Sequence, residues 1–323
     1  MFKLVKKKTI KPVTIREHFK RRNQIAIKRR GGGHGDILVQ RMLFEDIKKL
    51  CPELSITFTC PNAYLHFAKN HPYCQAVSLD NFDERLYGAV YDISTCCRVH
   101  ECKHGGNNKE NRSDIWAKFC GITLENHNMH LQCDEKTKDA CLLRILETNF
   151  QKKPTVLFVA HSTGDNFGTA KSMTDKQIIE VIETLKNKDY FVYTTHDRKH
   201  QIYDDLGVPQ FVKESPEKWI GLTAAADYVI SVDTGTFHLA AALKKPLVGV
   251  FSFTDGKLYG KYYDFILVQK HRDNGNWDCG PCYNMDRCPK STADHKPCMT
   301  ELCSTEIIAG FEAALNRWPV LSH

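Results

Sequence analysis

Hydrophobic and polar positions along the chain fall into two successive series of strand and helix patterns. The first begins with the short β-type run QIAIK at 24–28. A glycine-rich stretch, Gly31-Gly32-Gly33-His34-Gly35-Asp36, follows it. Residues 37–50 then place Leu38, Met42, Leu43, Ile47 and Leu50 on a broad apolar face, which predicts a helix stopped by Pro52. LSITFTC at 54–60 reads as a second strand. A helix is expected over 64–70, a strand over 89–94 and a helix over 113–120. Strand, glycine loop, helix and strand in this order make a βαβ unit, and such units build parallel sheets.

The pattern restarts after Gln151-Lys152-Lys153-Pro154. TVLFVA at 155–160 is a buried-type strand, and PLVGVF at 246–251 is another. Between them, strands are expected at 190–194 and 228–232 and helices at 175–186, 215–225 and 238–243; a closing helix is expected at 305–315. Two such sets predict an α/β protein of two Rossmann-like domains facing a cleft, with ligands at the C-terminal ends of the strands. The expected division is a basic arm at 1–23, an acceptor-binding domain at 24–152 and a nucleotide-sugar-binding domain at 153–323.

Composition adds three points. At 323 residues, 42% hydrophobic and 26% charged, the chain has the size and balance of two ordinary domains. Residues 1–30 carry twelve Lys or Arg against one acid, Glu17, so a basic arm precedes a body whose net charge is −4. Such an arm suits association with phosphorylated lipid, lipopolysaccharide or nucleic acid, or it is a solvated tail. No apolar run approaches the roughly 18 residues of a membrane span, and no apolar h-region follows the basic start. With fourteen cysteines in so long a chain, reduced thiols and a cytoplasmic location are expected.

Four constellations could carry chemistry. In the first, Gly33, His34 and Gly35 let the backbone approach a ligand, and Asp36 stands at the mouth of the following helix; the plainer alternative makes Asp36 its N-cap. The spacing is not that of a dinucleotide fingerprint. In the second, Ser162 and Thr163 after a strand, with Lys171 beyond, could cradle a pyrophosphate. The third is Asp233, Thr234, Gly235, Thr236 and His238, where a strand runs into a tight turn and a small-residue helix. Helix amides and hydroxyls there favour an anion, and Asp233 could bind sugar hydroxyls; alternatively Asp233 caps the helix and His238 packs. The fourth, Cys279, Cys282, Cys288 and Cys298, could close a structural zinc site, although only its first pair has CxxC spacing.

The stretch Asp233-Thr-Gly-x-x-His-Leu-Ala-Ala-Ala, followed by Lys244-Lys245-Pro246 and Thr254-Asp255, resembles the donor-site signature of glycosyltransferase family 9, the ADP-heptose:lipopolysaccharide heptosyltransferases. Cys279-Gly-Pro-Cys282 and Cys298-Met299 are similar to the family's C-terminal cysteine cluster, and Gly35-Asp36-Ile37-Leu38 to its turn after the first strand. The resemblance covers about residues 24–318. It implies a GT-B fold and inverting transfer from a nucleoside-diphosphate sugar without a required cofactor. Asp36 would be the general base. Thr163 and Lys171 would hold donor phosphates, and Asp233, Thr234, Gly235 and His238 would line the sugar-diphosphate site. The chain departs from the pattern in the triple glycine with His34, and in Ser172-Met173, where a tryptophan is usual. An anionic acceptor is expected, a lipopolysaccharide-like glycan first. The alternatives are a hydroxymethylated base in DNA, as in bacteriophage-type DNA glycosyltransferases, and a non-catalytic binding module.

Overall fold

The computed structural model describes residues 23–162, 168–270, 282, 288 and 296–319. Its first unit comprises β1 (Gln24–Lys28), α1 (His34–Gln40), α2 (Leu43–Leu50), β2 (Ser55–Cys60), α3 (Leu65–Ala68), β3 (Gln75–Ser78), β4 (Ala89–Asp92), α4 (Cys96–His104) and α5 (Arg112–Phe119). Helix α6 (Glu135–Leu146) leads into the second. That unit contains β5 (Thr155–Val159), α7 (Gly168–Lys171), α8 (Asp175–Asn187), β6 (Phe191–His196), α9 (Gln201–Asp205), β7 (Gln210–Val212), α10 (Pro216–Ala225), β8 (Tyr228–Val232), α11 (Gly235–Ala242), β9 (Leu247–Phe251), α12 (Gly256–Tyr259), β10 (Ile266–Gln269), α13 (Pro297–Thr300) and α14 (Ser304–Arg317).

Both sheets are parallel. The first has the order β3-β2-β1-β4 and the second β10-β9-β8-β5-β6-β7. Strand order reverses beside β1 in the first sheet and between β5 and β8 in the second. A crevice opens at each such switch point, and the glycine loop, Ser162 and Asp233 all lie just beyond those strands. Strands β5, β8 and β9 are buried at every position, which is why they read as unbroken apolar runs and not as alternating ones.

The helix expected over 37–50 is interrupted. Helix α1 ends at Gln40, and α2 begins at Leu43 after a turn through Arg41 and Met42. Arg41 is almost wholly buried and donates to the carbonyls of Met129, Phe67, Lys69 and His130. These bonds tie the turn to two other segments, 67–69 and 129–130. The helix expected at 64–70 contracts to α3. Strands β3, β7 and β10 lacked a pattern in the sequence because each is only three or four residues long and mostly half-buried.

Helix α6 precedes Pro154 in the chain, yet it packs on α10 of the second unit, and its Cys141 and Ile145 share a core with Leu157, Tyr193 and Leu222. The contact is close at Gly221, where an added Cβ would stand 2.6 Å from Cys141 Sγ and 3.0 Å from the Thr137 carbonyl oxygen. Backbone cannot yield as a flexible side chain can. Gly221→Ala is therefore expected to destabilise the protein by about 1–3 kcal/mol despite the better helix propensity of alanine, read as a lowered Tm.

Candidate functional site

The loop after β1 presents Asp36 to the cleft. Gly33 is the N-cap of α1, and Asp36 stands three residues in, accepting a long hydrogen bond from the Gly33 amide (3.4 Å). The carboxylate is thus not at the N-cap but reaches back to it from the third helical position, and both oxygens face arginines. Arg29 Nη2 donates to Oδ2 and Arg112 Nη1 to Oδ1, each at 2.8 Å. Burial pushes the Asp36 pKa up, but Arg112, then Arg29 and, more weakly, His238 outweigh it and hold the group below the ordinary aspartate range. It is a carboxylate at neutral pH.

Across the cleft, β8 leads into Asp233. Thr234 supplies the N-cap of α11, its hydroxyl accepting from the Thr236 amide at 3.2 Å. Asp233 is therefore released from capping. It pairs with Lys171 Nζ at 2.8 Å and accepts from Thr254 Oγ1 at 2.8 Å. Burial again raises the carboxyl pKa, and Lys171, His238 and Thr254 together bring it below its usual value. His238 bonds through Nδ1 to the Tyr263 hydroxyl at 2.9 Å. Burial lowers its pKa to about 4 against the opposing pull of Asp233 and Asp36, so the ring is neutral at pH 7. Ser162 closes the far side, its amide donating to Ser172 Oγ at 3.0 Å.

The two loops meet directly. A Cβ on Gly35 would stand 2.4 Å from His238 Cδ2, and one on Gly235 would stand 2.9 Å from the Trp219 ring and 3.4 Å from His34 Cβ. His34 itself sits among Tyr64, Phe67 and Trp219, with centroids 5.0–5.2 Å away, and burial lowers its pKa. Its ring thus packs at the junction of the units beside the exposed Gly33. Thr163 and Cys279 lie outside the described residues. Cys282 and Cys288 are half-buried, as is Cys298 in α13. Among the described residues no group of three or more His, Cys, Asp or Glu could hold a metal ion. Sequence reasoning missed Arg29, Arg112, Glu101, Tyr259 and Tyr263. Arg29 was visible only as part of a basic run; the others lie far from the motifs they serve.

Comparison with known proteins bears on the fold and the family. The profile of glycosyltransferase family 9 (heptosyltransferase) matches residues 113–285. Among curated proteins none matches the chain. Of solved structures, ADP-heptose lipopolysaccharide heptosyltransferase II of E. coli is 14% identical with a TM-score of 0.62, covering 91% of this chain and 99% of that one. A family 9 glycosyltransferase from Veillonella parvula is 11% identical with a TM-score of 0.66, covering 91% and 97%. The iron-containing dodecameric heptosyltransferase TibC of enterotoxigenic E. coli, solved with ADP-D-β-D-heptose, is 17% identical with a TM-score of 0.69, covering 91% and 77%. These likenesses carry the GT-B fold over nearly the whole chain. With the family profile matching more than half of its residues, the chain belongs to glycosyltransferase family 9 and is a glycosyltransferase.

Proposed function

We propose that the protein moves a sugar from an ADP-sugar to a hydroxyl of a phosphorylated, lipopolysaccharide-like saccharide, with inversion at the anomeric carbon and Asp36 as general base. The observation that carries this reading is the approach of Asp36 to the Asp233–Lys171–His238 group across one narrow junction of the two units. A hydroxyl is a weak nucleophile, and a carboxylate held in its basic form within hydrogen-bond reach accepts the proton as the new bond forms. Negative charge develops on the departing diphosphate. Lys171, Ser162, the Thr234 and Thr236 hydroxyls and the N-terminus of α11 supply preset compensation for it, and Thr163 is assigned the same task on its place in the sequence. In this scheme the diphosphate takes Lys171 from Asp233, which frees Asp233 for sugar hydroxyls. Gly235 lets the donor approach the helix start, while Gly33, His34 and Gly35 shape the acceptor side.

ADP-heptose is the first donor to try, because TibC was solved with it. No helix among the described residues is long and apolar enough to cross a membrane. The test presents radiolabelled ADP-heptose with purified lipopolysaccharide core, neutral oligosaccharides and hydroxymethylated duplex DNA. Label in the phosphorylated core supports the reading; label only in DNA replaces it. Lys171→Ala is expected to weaken ADP binding in calorimetry, more at low salt than at high, because a half-exposed lysine–phosphate contact is screened by ions. Unchanged affinity at low salt removes Lys171 from the site.

A further inference from the structure

Arg112 connects three groups. Its Nη1 meets Asp36 at 2.8 Å, while Nε and Nη2 form a fork on Glu101 at 2.6 and 2.9 Å. Glu101 is 1% exposed. A guanidinium held bidentately by a buried carboxylate has little rotational freedom, so the third contact, to Asp36, is fixed in direction. The second unit closes over this arrangement. The Tyr259 ring of α12 lies 5.2 Å from the Arg112 guanidinium carbon, and its hydroxyl donates to Glu101 Oε1 at 3.3 Å. The neighbouring residues make the same crossing. Asn111, the N-cap of α5, donates to the carbonyls of Leu258 (2.6 Å) and Tyr259 (3.2 Å), and Asp114 accepts from Lys261 and Tyr262.

We propose that Arg112 is a positioning residue for the Asp36 carboxylate, and that Tyr259 of the opposite unit holds Arg112 in place, so that the carboxylate is aligned when the two units are docked. This rests on Asp36 being the base. Glu101 has a second effect, since it compensates part of the Arg112 charge and keeps Asp36 from becoming too weak a base. The charged and titratable groups facing Asp36 are Arg29 beyond β1, Arg112 on α5, His238 on α11 and Tyr263, with Glu101 and Tyr259 behind Arg112. Only the Arg112 arm of this set is built from both units. The proposal makes the segment 256–263 a sensor of docking and not merely an interface.

The test follows the Asp36 carboxyl carbon by NMR in the full-length chain with aspartate labelled at Cγ, the resonance being assigned with Asp36→Asn. Arg112 favours the carboxylate, so Arg112→Gln is expected to move the titration midpoint to higher pH. Arg112→Lys keeps the charge and is expected to restore most of the difference. Tyr259→Leu touches neither Asp36 oxygen, yet it is expected to move the midpoint in the same direction by a smaller amount. With ADP-heptose and the acceptor that takes label, kcat is expected to fall about tenfold or more in Arg112→Gln, with the donor KM within threefold. Should Arg112→Gln fail to fold because Glu101 is left unpaired, the Arg112→Gln/Glu101→Gln double variant removes both charges and asks the same question. An Asp36 midpoint unmoved in Arg112→Gln and Tyr259→Leu overturns the positioning role. Full activity of Asp36→Asn overturns instead the assignment of the base, because the carbon resonance reports positioning independently of transfer.

Discussion

Replacement of Asp36 by Asn is expected to abolish transfer while leaving donor affinity within a few-fold. The two side chains have nearly the same shape, and Asn Oδ1 can still accept from one of Arg29 and Arg112. What is lost is the capacity to take a proton. A general base contributes roughly 10²–10⁴ in rate, or about 3–5 kcal/mol of transition-state stabilisation. The groups proposed to bind the donor, Lys171, Thr234 and Thr236, belong to the other unit and are untouched, so calorimetry with ADP should give a similar Kd. The wild-type pH profile provides a second check. Because the arginines hold Asp36 below the ordinary aspartate range, the acid limb of kcat/KM should lie below that range, and activity should not decline between pH 7 and 5 through this group. A variant that keeps more than about a tenth of wild-type kcat would show that another group takes the proton. A melting curve accompanies the assay, since removal of one negative charge leaves the buried Arg29 and the half-buried Arg112 less compensated.

How much of this was legible in the sequence depends on how local each signal is. The strand at 24–28, the glycine loop and Asp36 are contiguous, and so are β8, the Asp233 turn and α11. Period and turn chemistry therefore announced both halves of the cleft. Residues 37–50 show where a local signal stops. The apolar face runs through Met42, but Arg41 is recruited by four carbonyls from distant segments, and the helix breaks there. The arginine pair on Asp36 was harder still to read. Arg112 lies 76 positions from Asp36, and Glu101 lies 158 from Tyr259. No short motif joins such residues; the first pair meets where α5 lies against α1, and the second where α12 reaches α4. His34 illustrates the opposite case. It stood inside a motif, but its ring is taken up by Tyr64, Phe67 and Trp219, a packing cluster that draws on both units.

Gly35→Ala is expected to lower kcat about a hundredfold, with a lowered melting temperature beside it. Alanine is ordinarily the better helix residue by about 1 kcal/mol, and Gly35 lies within a helix without a positive φ, so the backbone does not oppose the change. The obstacle lies across the cleft. The new Cβ would be 2.4 Å from His238 Cδ2 and 3.2 Å from Nε2, well inside van der Waals contact. The ring has nowhere to retreat, being 8% exposed, bonded to the Tyr263 hydroxyl and packed against Phe237. Helix α1 must therefore back away from α11, carrying Asp36 from the donor groups by a fraction of an ångström to an ångström. A displacement of that size between reacting groups can cost about 10² in rate. Ile37 and Leu38 of α1 share a buried core with Leu239 and Ala242 of α11, so this overpacking should also destabilise the protein by about 1–3 kcal/mol, as at Gly221. Gly33→Ala supplies the control for the fold: its φ is −92°, a Cβ there meets no protein atom within 4 Å, and the melting temperature should stay near wild type. A Gly35→Ala enzyme with kcat within threefold of wild type would mean that the docked arrangement of these two helices is not the one in which transfer occurs.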